Sequence, residues 1–80
     1  MYTSDPCSYC VRAKRLLDQK AVDYEEIHIA LSDFEARMRI AEITGRMTVP
    51  QIIIDGNPIG GWEELYALER AGELDSLLAA

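Results

Sequence analysis

The chain has 80 residues and a formal charge of −6, and its 49% apolar and 28% charged residues are a globular rather than a disordered balance. That length allows one domain, residues 1–80, with a modest core, and the acidic balance, with no basic stripe, argues against a nucleic-acid partner. The nearly continuous apolar stretch Val49 to Ile54 is far too short to cross a bilayer and the N-terminus lacks a leader pattern, so the expectation is a cytosolic protein with no membrane partner.

Met1-Tyr2-Thr3 reads as a short strand that Asp5-Pro6 interrupts, because a residue before proline avoids the helical region. From Ser8, Cys10, Ala13, Leu16, Leu17 and Ala21 recur at three- and four-residue steps, with Arg12, Lys14, Arg15 and Asp18 on other faces. This pattern predicts a first helix with Cys10 facing inward. Val22 to Ile29, rich in β-branched and aromatic residues, predicts a strand with Ile27 and Ile29 on one face. Ser32 and Glu35 have capping-box spacing. Phe34, Met38 and Ala41, with Ile40 and Ile43, supply a second helix that Gly45 can end in a left-handed conformation.

Val49 to Ile54 is a nearly continuous β-type run, Asp55-Gly56 suits a tight hairpin, and Pro58-Ile59-Gly60 returns antiparallel. After Gly60-Gly61, Trp62, Leu65 and Leu68 with Tyr66 and Ala67 mark a last helix, broken near Gly72 and resumed through Leu74, Leu77 and Leu78. The order βαβαββα with right-handed crossovers gives an α/β fold of thioredoxin-like layout, one four-stranded mixed sheet flanked by helices.

Two cysteines are too few for a disulfide-stapled scaffold, and their C-x-x-C spacing at a strand-to-helix junction suggests reactivity. Cys7 falls at the helix start, where unpaired N–H groups and the positive end of the dipole favour a thiolate. Such settings lower a thiol pKa from about 8.5 to roughly 3.5–7.5, and Arg12 and Lys14 add positive charge nearby. Cys10, one turn further in, is placed to attack a mixed disulfide on Cys7. A metal site, a structural disulfide and two packed thiols are the competing readings. A closed zinc site needs four ligands, whereas only a distant His28 joins the two cysteines, so no metal is expected. A bridge across so short a loop constrains the unfolded chain little, although a lone pair does not dismiss it. His28, with no Ser or Cys neighbour, reads as structural or surface.

Cys7-Ser8-Tyr9-Cys10, Thr48-Val49-Pro50 and Gly60-Gly61-Trp62-Glu63-Glu64-Leu65, in that order and spacing, resemble the glutaredoxin family. With Tyr2-Thr3 and the segment Pro50 to Gly56, the similarity covers nearly the whole chain. It implies an enzyme, a monomeric glutathione-dependent thiol-disulfide oxidoreductase of dithiol type. Cys7 would be the nucleophile and Cys10 the resolving thiol. Glutathione, glutathionylated proteins and disulfide-containing proteins would be its partners.

The resemblance further implies a cis peptide before Pro50, with Thr48, Val49 and Pro50 presenting the Val49 backbone to the cysteinyl unit as an added strand would pair with a sheet edge. Gly61, Trp62 and Glu63 would hold the γ-glutamyl end, which suits the free N–H groups of a helix start. Arg37 would face the glycine carboxylate, and Tyr9 would flank the sulfur. Each has a plainer reading: Pro50 as an edge or turn proline, Trp62 as core, Arg37 as a solvated charge, Tyr9 as a surface aromatic.

The chain departs from the family pattern at three places. Ser4 and Asp5 stand where a Lys is common, Ser8 replaces the usual Pro, and Trp62 replaces a smaller or polar residue. Ser8 motivates a rival reading, a carrier dimer holding a [2Fe–2S] cluster through two Cys7 thiolates and two glutathione thiols. A thioredoxin-like reductase served by a flavoenzyme is a third.

Overall fold

Strand β1 (Tyr2–Thr3) pairs in parallel with β2 (Ile27–His28), and helix α1 (Ser8–Gln19) makes the crossover. Helix α2 (Phe34–Thr44) leads to the hairpin of β3 (Ile52–Ile54) and β4 (Asn57–Gly60), and α3 (Trp62–Arg70) and α4 (Leu74–Leu78) close the chain. This computed structural model describes residues 1–79. Asp55 (φ 51°) and Gly56 (φ 78°) fill the two left-handed positions of the hairpin turn, as Asp-Gly does in a two-residue connection.

The two strand pairs join at Tyr2 and Gln51, whose amides donate to each other's carbonyls at 2.9 and 3.1 Å. The resulting order is β2-β1-β3-β4, a mixed arrangement as expected, but with a single antiparallel bridge at its centre rather than a continuous ladder. The Ser4 to Pro6 bend explains this: β1 is two residues long and offers few register positions to either neighbour. The same limit shortens the strand expected over Val22 to Ile29 to Ile27–His28, and there Ile29 is buried while Ile27 is exposed.

Alternation along the strands sends Met1 and Ile52 to one side, where they meet Ala13 and Leu17 of α1, Leu65 of α3 and Leu74 of α4. Leu65 and Leu74 are fully buried, which contributes roughly 1.5–3 kcal/mol each. Lys20, just past α1, reaches Glu69 and Asp75 at 2.6 and 2.8 Å and ties the last two helices to the first.

Three local expectations are corrected. Helix α1 stops at Gln19, and Ala21 lies beyond it in a left-handed conformation (φ 56°) instead of on the inward stripe. The α2 cap is Asp33 rather than Ser32, because the Asp33 carboxylate reaches the Ala36 amide at 3.1 Å. Finally, only Ile40 of α2 is buried, while Phe34, Met38 and Ile43 are exposed. That helix carries apolar residues on several faces, so periodicity alone does not single out the inward one. Its end follows the sequence: Gly45 (φ 81°) donates its N–H to Ala41 O at 2.7 Å.

Candidate active site

Extended backbone at Cys7 (φ −154°, ψ 98°) turns the chain from the β1 bend into α1, and Cys7 is the N-cap. Its Sγ accepts from the Cys10 N–H at 3.1 Å, the bond through which a cap side chain satisfies an orphan helix donor. Cys7 and Cys10 form a disulfide across a Cα separation of 5.2 Å. Cys10 is 1% exposed whereas Cys7 is only half-buried, so Cys7 is the sulfur an incoming group can reach.

The Val49–Pro50 peptide is cis, as the resemblance implies, and Asp5–Pro6 is cis as well. Val49 O lies 3.9 Å from Cys7 Sγ. The start of α3 packs tightly on the same loop, since a Cβ on Gly61 would stand 3.2 Å from Pro50 O. Three elements therefore meet around one sulfur: the N-terminus of α1, the loop before β3 and the N-terminus of α3.

They enclose a groove lined by Tyr9 from α1, Thr48, Val49 and Pro50 from the loop, and Gly61, Trp62 and Glu63 from the start of α3. Seven of the eight ligand residues implied by the resemblance are thus together. Arg37 is not among the lining residues; its guanidinium donates to Leu31 O at 3.5 Å. Trp62 packs against the core and stacks on Tyr66 with centroids 5.2 Å apart, and it also lines the groove.

Sequence reasoning assigned no role to three residues that shape this site. Arg46 and Glu64 line the groove and are paired, Arg46 Nη1 lying 2.5 Å from Glu64 Oε1. Gln51 is fully buried and its Nε2 donates to Thr48 Oγ1 at 3.1 Å, holding that side chain at the groove edge. Glu64 sits at the third position of α3, where a carboxylate folding back on the cap is a recognisable signal; Arg46 has no comparable local signature.

Glu64 Oε1 also accepts from the Gly61 N–H at 2.8 Å. That hydrogen bond first, then Arg46, holds the Glu64 carboxyl below the ordinary glutamate value against an opposing effect of burial. The Gly61 amide, expected to be free for a ligand, is therefore engaged. Lys14 is turned away too: its Nζ lies 2.5 Å from Glu26, lowering the Glu26 carboxyl and raising the lysine. Arg12 lies over the Tyr9 ring, 5.4 Å from its centroid. Neither side chain is paired with Cys7, which sits at the positive end of the α1 dipole. Among the described residues no three His, Cys, Asp or Glu side chains converge as a metal donor set.

The glutaredoxin family model matches residues 1–59, three quarters of the chain. The chain belongs to the glutaredoxin family. It is 49% identical to a glutaredoxin of Pseudomonas aeruginosa over 80 residues, covering 100% of this chain and 94% of that protein. It is 46% identical to glutaredoxin 3 of Escherichia coli over 78 residues, covering 98% and 93%. Among solved structures, the buckwheat glutaredoxin-glutathione complex superposes with a TM-score of 0.81 at 33% identity, covering 98% of this chain and 73% of that one. The glutaredoxin of Brucella melitensis does so at 0.74 and 47% identity, covering 96% and 83%. The fold is thus the thioredoxin-like glutaredoxin fold. Glutaredoxins are thiol oxidoreductases, and the Cys7–Cys10 bridge beside a groove is the redox-active disulfide expected of one.

Proposed function

We propose that the chain is a glutathione-dependent thiol-disulfide oxidoreductase acting on glutathione mixed disulfides and on protein disulfides in the cytosol. One observation carries the proposal: Cys7 Sγ is the accessible sulfur of the pair, set at a helix N-terminus and facing the cis-proline loop of a groove. That placement lowers a cysteine pKa from about 8.5 into the range of roughly 3.5–7.5 and supplies thiolate at neutral pH.

In the proposed reaction the Cys7 thiolate attacks the glutathione sulfur of a mixed disulfide. The old S–S bond breaks, the released thiolate takes a proton from solvent, and glutathione remains on Cys7. A second glutathione thiolate attacks that sulfur, releasing oxidised glutathione and restoring Cys7. With a protein disulfide, Cys7 becomes linked to the substrate, and Cys10 attacks Cys7 to close the intramolecular disulfide and expel the reduced protein. Two glutathione molecules then reopen that disulfide.

The buckwheat glutaredoxin-glutathione complex supports glutathione as the occupant of the groove. In this reading the Val49 backbone pairs with the cysteinyl unit, Thr48 and Pro50 shape its path, and Tyr9 flanks the sulfur. The Trp62 and Glu63 amides meet the γ-glutamyl carboxylate, and the Glu63 side chain meets its ammonium. Gly61 contributes by allowing close approach, its amide being held by Glu64.

The test is turnover of a small glutathione mixed disulfide by wild type, Cys7→Ser and Cys10→Ser, with glutathione as reductant. Wild type and Cys10→Ser should turn over, and Cys7→Ser should fall to background. Activity in Cys7→Ser would overturn the assignment. The cluster-carrier reading motivated by Ser8 is separated by anaerobic reconstitution with iron, sulfide and glutathione: a coloured dimer favours it, a colourless monomer the reductase.

A further inference from the structure

Resting on the glutathione reading, we infer that Arg46 and Glu64 set the preference for thiols bearing a γ-glutamyl carboxylate: Arg46 is the cation that binds it, and Glu64 is an internal competitor for Arg46. Glu64 Oε1 accepts from two donors at once, Arg46 Nη1 at 2.5 Å and the Gly61 N–H at 2.8 Å. A guanidinium and a helix N-terminal amide are the groups a ligand carboxylate seeks at a helix start. In the structure the chain's own carboxylate occupies both.

The surrounding backbone makes room for that arrangement. Gly60 has φ 120°, and a Cβ there would stand 2.9 Å from Glu64 Cγ and 3.0 Å from Cδ. Any side chain at this position would drive Glu64 off the α3 N-terminus. Arg46 has no substitute in the groove: it is the one cation among the described lining residues. Lys14 is held by Glu26, and Arg12 lies over Tyr9.

The Arg46–Glu64 pair is exposed enough to exchange, with the two side chains 53% and 34% accessible. An ion pair at that exposure is weak, so an arriving carboxylate can replace Glu64 on Arg46. The γ-glutamyl unit offers such a carboxylate beside an ammonium, for which Glu63 in the same turn is the counter-charge. A thiol lacking the γ-glutamyl unit gains nothing from this exchange. Arg46 and Glu64 therefore act on ligand choice rather than on the sulfur chemistry.

The test compares kcat/KM for mixed disulfides of one small thiol with glutathione, γ-glutamylcysteine or cysteinylglycine, using wild type, Glu64→Gln, Arg46→Gln and Arg46→Lys. Glu64→Gln removes the charge and keeps an oxygen for the Gly61 amide, and thermal unfolding checks that it folds. It should raise kcat/KM about two- to fivefold for the two γ-glutamyl compounds, the factor an exposed ion pair is worth. Arg46→Gln should lower both by at least as much, Arg46→Lys should recover most of the loss, and cysteinylglycine should respond to none of the three changes. If Glu64→Gln leaves the γ-glutamyl compounds unchanged, or shifts all three compounds alike, Glu64 is a helix cap only and the inference falls. If the wild type itself shows no turnover of the glutathione compound, the glutathione reading falls first and takes the inference with it.

Discussion

Glu64 keeps its charge to lower pH than an ordinary glutamate, because the Gly61 amide and then the Arg46 guanidinium favour the carboxylate more than burial opposes it. Its folded-state pKa is therefore below the unfolded value near 4.5, and between the two the unfolded chain binds more protons. The stabilisation is complete above that unfolded value and is lost as pH falls through the folded one. The melting temperature of wild type should exceed that of Glu64→Gln at pH 7, and the gap should close on acidification below about 4.5. A gap that stays constant to pH 3 would contradict the linkage. At this scale the placement of the cysteines was legible in the sequence, since Cys7 at the helix start and Cys10 on the inward face follow from local spacing, and the cis Val49–Pro50 peptide is the one the family resemblance implies. Arg46 was not, because its partner Glu64 lies 18 residues away and only the fold brings them together. Arg37, assigned to a ligand only by the family resemblance, donates to Leu31 O at 3.5 Å and does not line the groove.

At the level of elements, caps and turns test the local physics most directly. Asp33→Ala removes the bond from Asp33 Oδ1 to the Ala36 amide and should cost about 1 kcal/mol in urea unfolding. Gly56→Ala places a Cβ at φ 78° in the hairpin turn and should also cost about 1 kcal/mol, by strain rather than by contact, since open space surrounds the position. An unchanged unfolding midpoint in either variant would mean that the element is held elsewhere. Helix ends were readable where one residue dictates them, as at Gly45. They were not where neighbours compete, as Ser32 and Asp33 do for the α2 cap. Strand lengths were the least legible, because β2 extends only as far as the two residues of β1 allow.

The whole molecule rests on one apolar cluster that joins Met1 and Ile52 to α1, α3 and α4. Leu65→Ala should cost about 2–5 kcal/mol, a large part of the roughly 5–15 kcal/mol that stabilises a typical domain, and should broaden or abolish the thermal transition. The Lys20 ion pairs with Glu69 and Asp75 are solvent-screened surface contacts, so Lys20→Met should shift the same transition little. The apolar cluster carries α1, β3 and α3, whose ends meet around Cys7. The central claim, that Cys7 is the thiolate on which glutathione is carried, is tested most directly by trapping. Reduced Cys10→Ser is mixed with oxidised glutathione and the product is mapped by mass spectrometry. A single glutathione on Cys7, formed with a rate that titrates well below the ordinary thiol pKa of about 8.5, is the expected result. No adduct, or one formed only above that pH, would contradict it.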